Sequence, residues 1–195
     1  TRSEAAAIFA RLLAEKNGDT ISTAANTKFA DIPAHAWYSG YVKYLSNNGI
    51  TYGKSKTIFA PNDAITRAEF TTMAVRFFDV YGDGDAEIME QFSGFNDVSS
   101  GYWAAEYIKY AALHGWINGY GDGSFHADRE INRAEVVTIV NRLLGREADE
   151  DYIADNLRKL NTFPDVTKRH WAYYAVMEAA NAHTAVLGES ESWSK

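Results

Sequence analysis

A chain that repeats itself folds into repeated units, and this one carries two interleaved repeats. The segment Phe29-Ala-Asp31-Ile-Pro-Ala-His-Ala-Trp37 returns as Phe95-Asn-Asp97-Val-Ser-Ser-Gly-Tyr-Trp103 and as Phe163-Pro-Asp165-Val-Thr-Lys-Arg-His-Trp171, at spacings of 66 and 68 residues. A second segment, Thr1-Arg2-Ser3-Glu4, returns as Thr66-Arg67-Ala68-Glu69 and as Asn132-Arg133-Ala134-Glu135, offset by 65 and 66. Calling the first a front half and the second a back half, the order is back, front, back, front, back, front. The unpaired halves lie at the two ends. Packing the last front half on the first back half would close three equivalent units, so the expectation is one compact unit over 1–195, with modules near 29–79 and 95–144 and a third of 163–195 completed by 1–16.

The back halves read as helices. Apolar residues recur on one helical face at Ala5, Ile8, Phe9, Leu12 and Leu13, at Phe70, Met73, Ala74, Phe77 and Phe78, and at Val136, Ile139, Val140, Leu143 and Leu144. Each opens on Thr or Asn with Glu three positions on, the capping box that engages Glu4, Glu69 and Glu135. The front halves predict helices near Trp37 to Asn47, Tyr102 to Leu113 and His170 to Ala182, stopped by Gly49 and Gly115, with His183 at the matching third place. Irregular loops follow over Ile50 to Ala64 and Trp116 to Glu130, with room for a short two-stranded element. Glu150 to Leu160 has the spacing of an additional helix.

Composition narrows the function. Forty-six per cent hydrophobic residues make a folding chain, and the absence of cysteine removes disulfides, zinc-thiolate sites and cysteine nucleophiles. No apolar run is long enough to insert into a membrane. The net charge of -7 argues against nucleic acid. That charge resides in the linkers Asp79 to Gly94 and Gly145 to Thr162, which are expected at the periphery, away from any anionic ligand. Gly49-Ile-Thr-Tyr-Gly53-Lys54-Ser55 is one residue short of a phosphate loop, Asp83-Gly-Asp85 and Asp122-Gly-Ser lack a calcium ladder, and the five histidines form no metal-spaced pair. No cofactor and no metal are indicated.

The residues Phe-x-Asp-Val/Ile with a following Trp, the loop Gly119-Tyr-Gly-Asp-Gly-Ser-Phe125, and Ile65-Thr-Arg-Ala-Glu69 with Ile131-Asn-Arg-Ala-Glu135 resemble the S-layer homology domain family, over most of the chain outside the linkers. The resemblance implies a mainly α fold, a pseudo-threefold bundle of three helical modules with irregular connecting loops. It also implies an extracellular place in the cell wall or S-layer and a non-catalytic function: binding secondary cell-wall polysaccharide, often carrying a pyruvate ketal, in grooves between modules. Carried over by position, the ligand-binding residues are Arg2, Arg67 and Arg133, then Asp31, Asp97 and Asp165, then Trp37, Trp103 and Trp171. The pattern departs where Thr51 to Phe59 lacks the Asp-Gly pair, where Asn132 replaces threonine, and where Leu187 to Trp193 offers no third loop. Thr1 already stands at a helix cap, so a longer protein is expected.

Each assignment has a structural competitor. The arginines follow the cap without being needed by it, and beside the helix amides their forks fit a carboxylate; alternatively they bridge to a neighbouring carboxylate such as Asp31 or Asp97. The aspartates can accept from sugar hydroxyls or make turns. The tryptophans can cover a sugar face, and core packing between modules is slightly favoured for them. Two rival functions also stand: a protein-binding or surface-array module, and a glycan-processing enzyme needing two free carboxylates, which the capping of the glutamates disfavours.

Overall fold

The computed structural model describes residues 1–82, 92–186 and 192–194. It is mainly helical. Among the described residues the helices are α1 (Arg2–Asn17), α2 (Ser39–Asn47), α3 (Arg67–Tyr81), α4 (Ala105–Leu113), α5 (Arg133–Leu143), α6 (Glu150–Asn156) and α7 (Tyr173–Ala180), followed by strands β1 (Thr184–Val186) and β2 (Ser192–Ser194) paired antiparallel. The capping boxes form at all three predicted places, with Thr1, Thr66 and Asn132 accepting from the amides of Glu4, Glu69 and Glu135. The front helices begin two to three residues later than the sequence suggests, because Ala36 and Ser39, like Tyr102 and Ala105, first close separate turns onto residues three positions earlier. The expected additional helix is α6, continued by a single 3-10 turn over Leu157–Lys159.

The chain divides into two compact units, 1–131 and 132–195. In unit 1, α1 packs on α2 and on α3, and α3 packs on α4. Phe9 of α1 sits 5.3 Å from the ring of Phe70 and 4.9 Å from that of Phe77, all three fully buried. In unit 2, α5 packs on α7. Each back helix therefore pairs with the front helix that follows it.

Two loops give unit 1 its regularity. Phe29 packs against Phe59 with ring centroids 5.5 Å apart, and Phe95 against Phe125 at 5.1 Å. The phenyl edges come so close to Gly53 and Gly119 that an added Cβ would lie 2.5 and 2.4 Å from them, which is why glycine occupies both places. Strand is absent from these loops beyond one bridge between Thr66 and Glu130. In unit 2, Ile153, Tyr173, Met177 and Trp193 form a separate core cluster, with the Trp193 amide donating to Asp149. Of the acidic linkers, Asp83, Asp85, Glu87 and Glu90 lie outside the described residues, as does most of Leu187 to Trp193.

Candidate functional site

The sequence places an arginine at the first turn of each back helix, and in unit 1 the structure buries it. Arg2 and Arg67 are 4% and 5% exposed. Arg2 donates from Nε to the Phe59 carbonyl at 2.8 Å, and from Nη1 reaches Glu69 Oε1 at 2.9 Å. Arg67 donates from Nε to the Phe125 carbonyl at 2.8 Å and from Nη2 to the Asn118 carbonyl at 3.2 Å. Both guanidinium groups also lie over the phenyl ring of the residue they bind, at 5.0 and 4.4 Å. The helix amides are engaged too: Arg2 and Ser3 donate to Asp63 and Pro61, and Arg67 and Ala68 donate to Arg129 and Ala127. The idea of open amides beside a free arginine fork is thus corrected at α1 and α3, where a passing loop supplies the acceptors.

The aspartates hold the same loops. Asp31 accepts from the amides of Phe59 and Ala60, and Asp97 from those of Phe125 and His126. Ala60 and His126 have φ of 59° and 56°, the left-handed region that a side chain enters only when its surroundings require it. Burial pushes the Asp97 carboxyl up, but the two amide donors together outweigh it and leave it below the ordinary carboxylate value. Asp165 is exposed.

The tryptophans reverse the leaning toward core packing. Trp37, Trp103 and Trp171 are 53%, 57% and 64% exposed. Trp103 borders a groove of about 100 Å³ in unit 1, together with Arg2, Tyr52, Glu69, Thr72 and Arg76. Arg76 lies 4.6 Å over the Tyr52 ring and donates from Nε and Nη2 to the Tyr107 hydroxyl at 3.3 and 3.1 Å. Lys28 lies over the same Tyr52 ring at 5.8 Å. Arg2 is paired with Glu69, and Arg76, whose charge also acts on the Asp79 carboxylate, is the second guanidinium on this lining. The Thr72 hydroxyl, on a residue 3% exposed, is buried on this lining without a hydrogen-bond partner.

Sequence reasoning missed Arg76, Tyr52 and Thr72. A signal existed for the first: Arg11, Arg76 and Arg142 stand ten positions after Thr1, Thr66 and Asn132, and Arg11 binds the Tyr41 hydroxyl as Arg76 binds that of Tyr107. In unit 2, Arg133 and Asp165 come together on a groove of about 430 Å³ with Phe163 and His170. Trp37 and Trp171 belong to neither lining. Among the described residues no group of three or more metal-ligating side chains converges, and no helix is long and apolar enough to cross a membrane.

Capped helices and loops repeated along the chain define a module built from repeats, with one exposed tryptophan, Trp103, beside the unit 1 groove. Residues 28–71 and 94–137 each match the S-layer homology domain, and the chain belongs to that family. It is 32% identical over 98% of its length to Cell surface glycoprotein 1 of Acetivibrio thermocellus, and 30% identical over 97% of its length to the Cellulosome-anchoring protein of the same organism. It is also 32% identical, over 74% of its length, to the Surface-layer 125 kDa protein of Lysinibacillus sphaericus. The chain spans 8%, 40% and 12% of those relatives. The family and these relatives assign it to the cell wall or cell surface and support an anchoring role.

Proposed function

We propose that this chain is a non-catalytic cell-wall anchor whose unit 1 groove binds an anionic secondary cell-wall polysaccharide, with a pyruvate ketal as the anionic group. The observation that carries the reading is the meeting of Arg76 and Trp103 on one lining. Arg76 spends Nε and Nη2 on Tyr107, and its Nη1 makes no hydrogen bond among the described residues, which suits a carboxylate. A groove of about 100 Å³ admits a ketal carboxylate rather than a whole sugar ring. The ring then lies outside it, with its C–H face against the exposed Trp103 indole and Tyr52 at the margin. Thr72 offers the floor a hydroxyl whose hydrogen-bonding capacity is unused. Arg2, Arg67, Asp31 and Asp97 act one step back, by holding the loops that shape the wall.

Calorimetric titration with purified wall polysaccharide, native and with pyruvate chemically removed, tests the reading. Saturable binding of the native polymer that weakens strongly on removal of pyruvate is expected. Equal binding of both forms would contradict the anionic contact, and no binding of either would favour a protein-binding or array-forming module.

A further inference from the structure

The three front halves are alike in sequence but not in what covers them. Phe29 is 2% exposed because the loop carrying Gly53 and Phe59 lies across it, whereas its third equivalent, Phe163, is 43% exposed. Asp31 and Asp97 each accept two consecutive loop amides, whereas Asp165 accepts no hydrogen bond among the described residues. After α7 come the paired strands β1 and β2, and Trp193 of β2 packs with Ile153, Tyr173 and Met177. What remains at the start of α5 is the groove of about 430 Å³, lined by Arg133, Phe163, Asp165, Val166 and Val176.

We propose that this groove is a docking site for a polypeptide loop of the kind formed by residues 119–130, presented by a partner S-layer homology repeat. The required chemistry is read from the two seated loops in unit 1. Asp165 accepts two consecutive backbone amides, the first turn of α5 and Arg133 donate to loop carbonyls, and one phenyl ring covers Phe163. A second folded copy of this chain is not the partner, because both of its loops are already held by Asp31 with Arg2 and by Asp97 with Arg67. The lining offers Phe163, Val166 and Val176 but neither tyrosine nor tryptophan, which suits a phenyl side chain better than a sugar. The site is separate from the glycan groove of unit 1, and its test does not depend on that reading.

The test uses the whole 195-residue chain and a fluorescein-labelled peptide with the sequence of residues 116–131. Anisotropy is expected to show saturable one-to-one binding, with amide shifts in NMR confined to residues 132–144 and 163–180. Asp165→Asn in the protein, checked for unchanged circular dichroism, is expected to weaken binding at least about tenfold, the loss of a charged hydrogen bond. A peptide with Phe125→Ser is expected to do the same against the unaltered protein, so the test survives even if the protein variant folds poorly. Saturating wall polysaccharide is expected to leave the peptide bound. The proposal is overturned by absence of saturable binding up to millimolar peptide, by affinity insensitive to both changes, by shifts elsewhere, by displacement with polysaccharide, or by self-association of the chain in sedimentation.

Discussion

Asp31 and Arg2 hold the same residue from opposite sides: the Asp31 carboxylate accepts from the Phe59 amide at 2.9 Å while Arg2 Nε donates to the Phe59 carbonyl at 2.8 Å. Asp97 and Arg67 grip Phe125 in the same way, at 2.7 and 2.8 Å. The most regular motifs of the sequence thus converge on one residue per loop, and their first duty is to the fold.

Arg67→Ala is therefore expected to destabilise the protein. It leaves the Phe125 and Asn118 carbonyls without their charged donor in a buried place, a loss of about 3 kcal/mol. Arg133 is exposed, and Arg133→Ala is expected to cost less than about 0.5 kcal/mol. Urea unfolding of the two variants checks the contrast; equal midpoints would show that burial of Arg67 contributes nothing.

That contrast marks what could be read in advance. The capping boxes of Thr1, Thr66 and Asn132 were legible because a cap is local, set by residues three apart. The burial of Arg2 and Arg67 was not, since each is covered by a loop almost sixty residues further on. Nor was the exposure of Trp103, because an aromatic beside a helix start has the same sequence signature whether a neighbour covers it or solvent does. Arg76 was visible as a repeated position with Arg11 and Arg142, yet within an apolar helix its spacing attracts less notice than a cap motif does. The departure of Leu187 to Trp193 from the loop pattern was legible, but the groove that Arg133, Phe163 and Asp165 line was not, since Arg133 stands thirty positions before Phe163.

Asp97 gives the fold an acid limb. Its carboxyl is held below its ordinary value in the folded state, so the stability it contributes is present above the unfolded value and is lost as pH falls through the folded one. Asp97→Asn is expected to be less stable than the parent at neutral pH and to show a shallower loss of stability below about pH 4. Melting temperatures across that range check this, and parallel curves would count against it.

Tyr102 gives an alkaline limb. Burial and its hydrogen bond to Asp128 at 2.6 Å push its hydroxyl up to about 12. A raised value means that the folded state keeps the proton when the unfolded chain has lost it, so the contribution is intact below about pH 10 and declines as pH rises toward 12. Tyr102→Phe is expected to flatten that decline, as followed by denaturant melts together with ultraviolet titration of tyrosinate.

Trp103 is 57% exposed, so Trp103→Ala is expected to change stability by less than about 0.5 kcal/mol while weakening glycan binding by about tenfold or more. Trp171→Ala, at a residue 64% exposed and off the unit 1 groove, is expected to leave affinity unchanged. Paired titrations and melts separate the two; a matching loss from both tryptophans would detach Trp103 from the groove.

The most direct measurement is the affinity of Arg76→Gln for pyruvylated and depyruvylated wall polysaccharide, by calorimetry beside the parent chain. If Arg76 meets the ketal carboxylate, the variant loses roughly 10 to 150-fold for the pyruvylated polymer, the span of one charged hydrogen bond, and binds the depyruvylated polymer as the parent does. If Arg76→Gln still prefers the pyruvylated polymer by the parent's full ratio, the carboxylate is bound elsewhere and the groove assigned here is not the anchoring site.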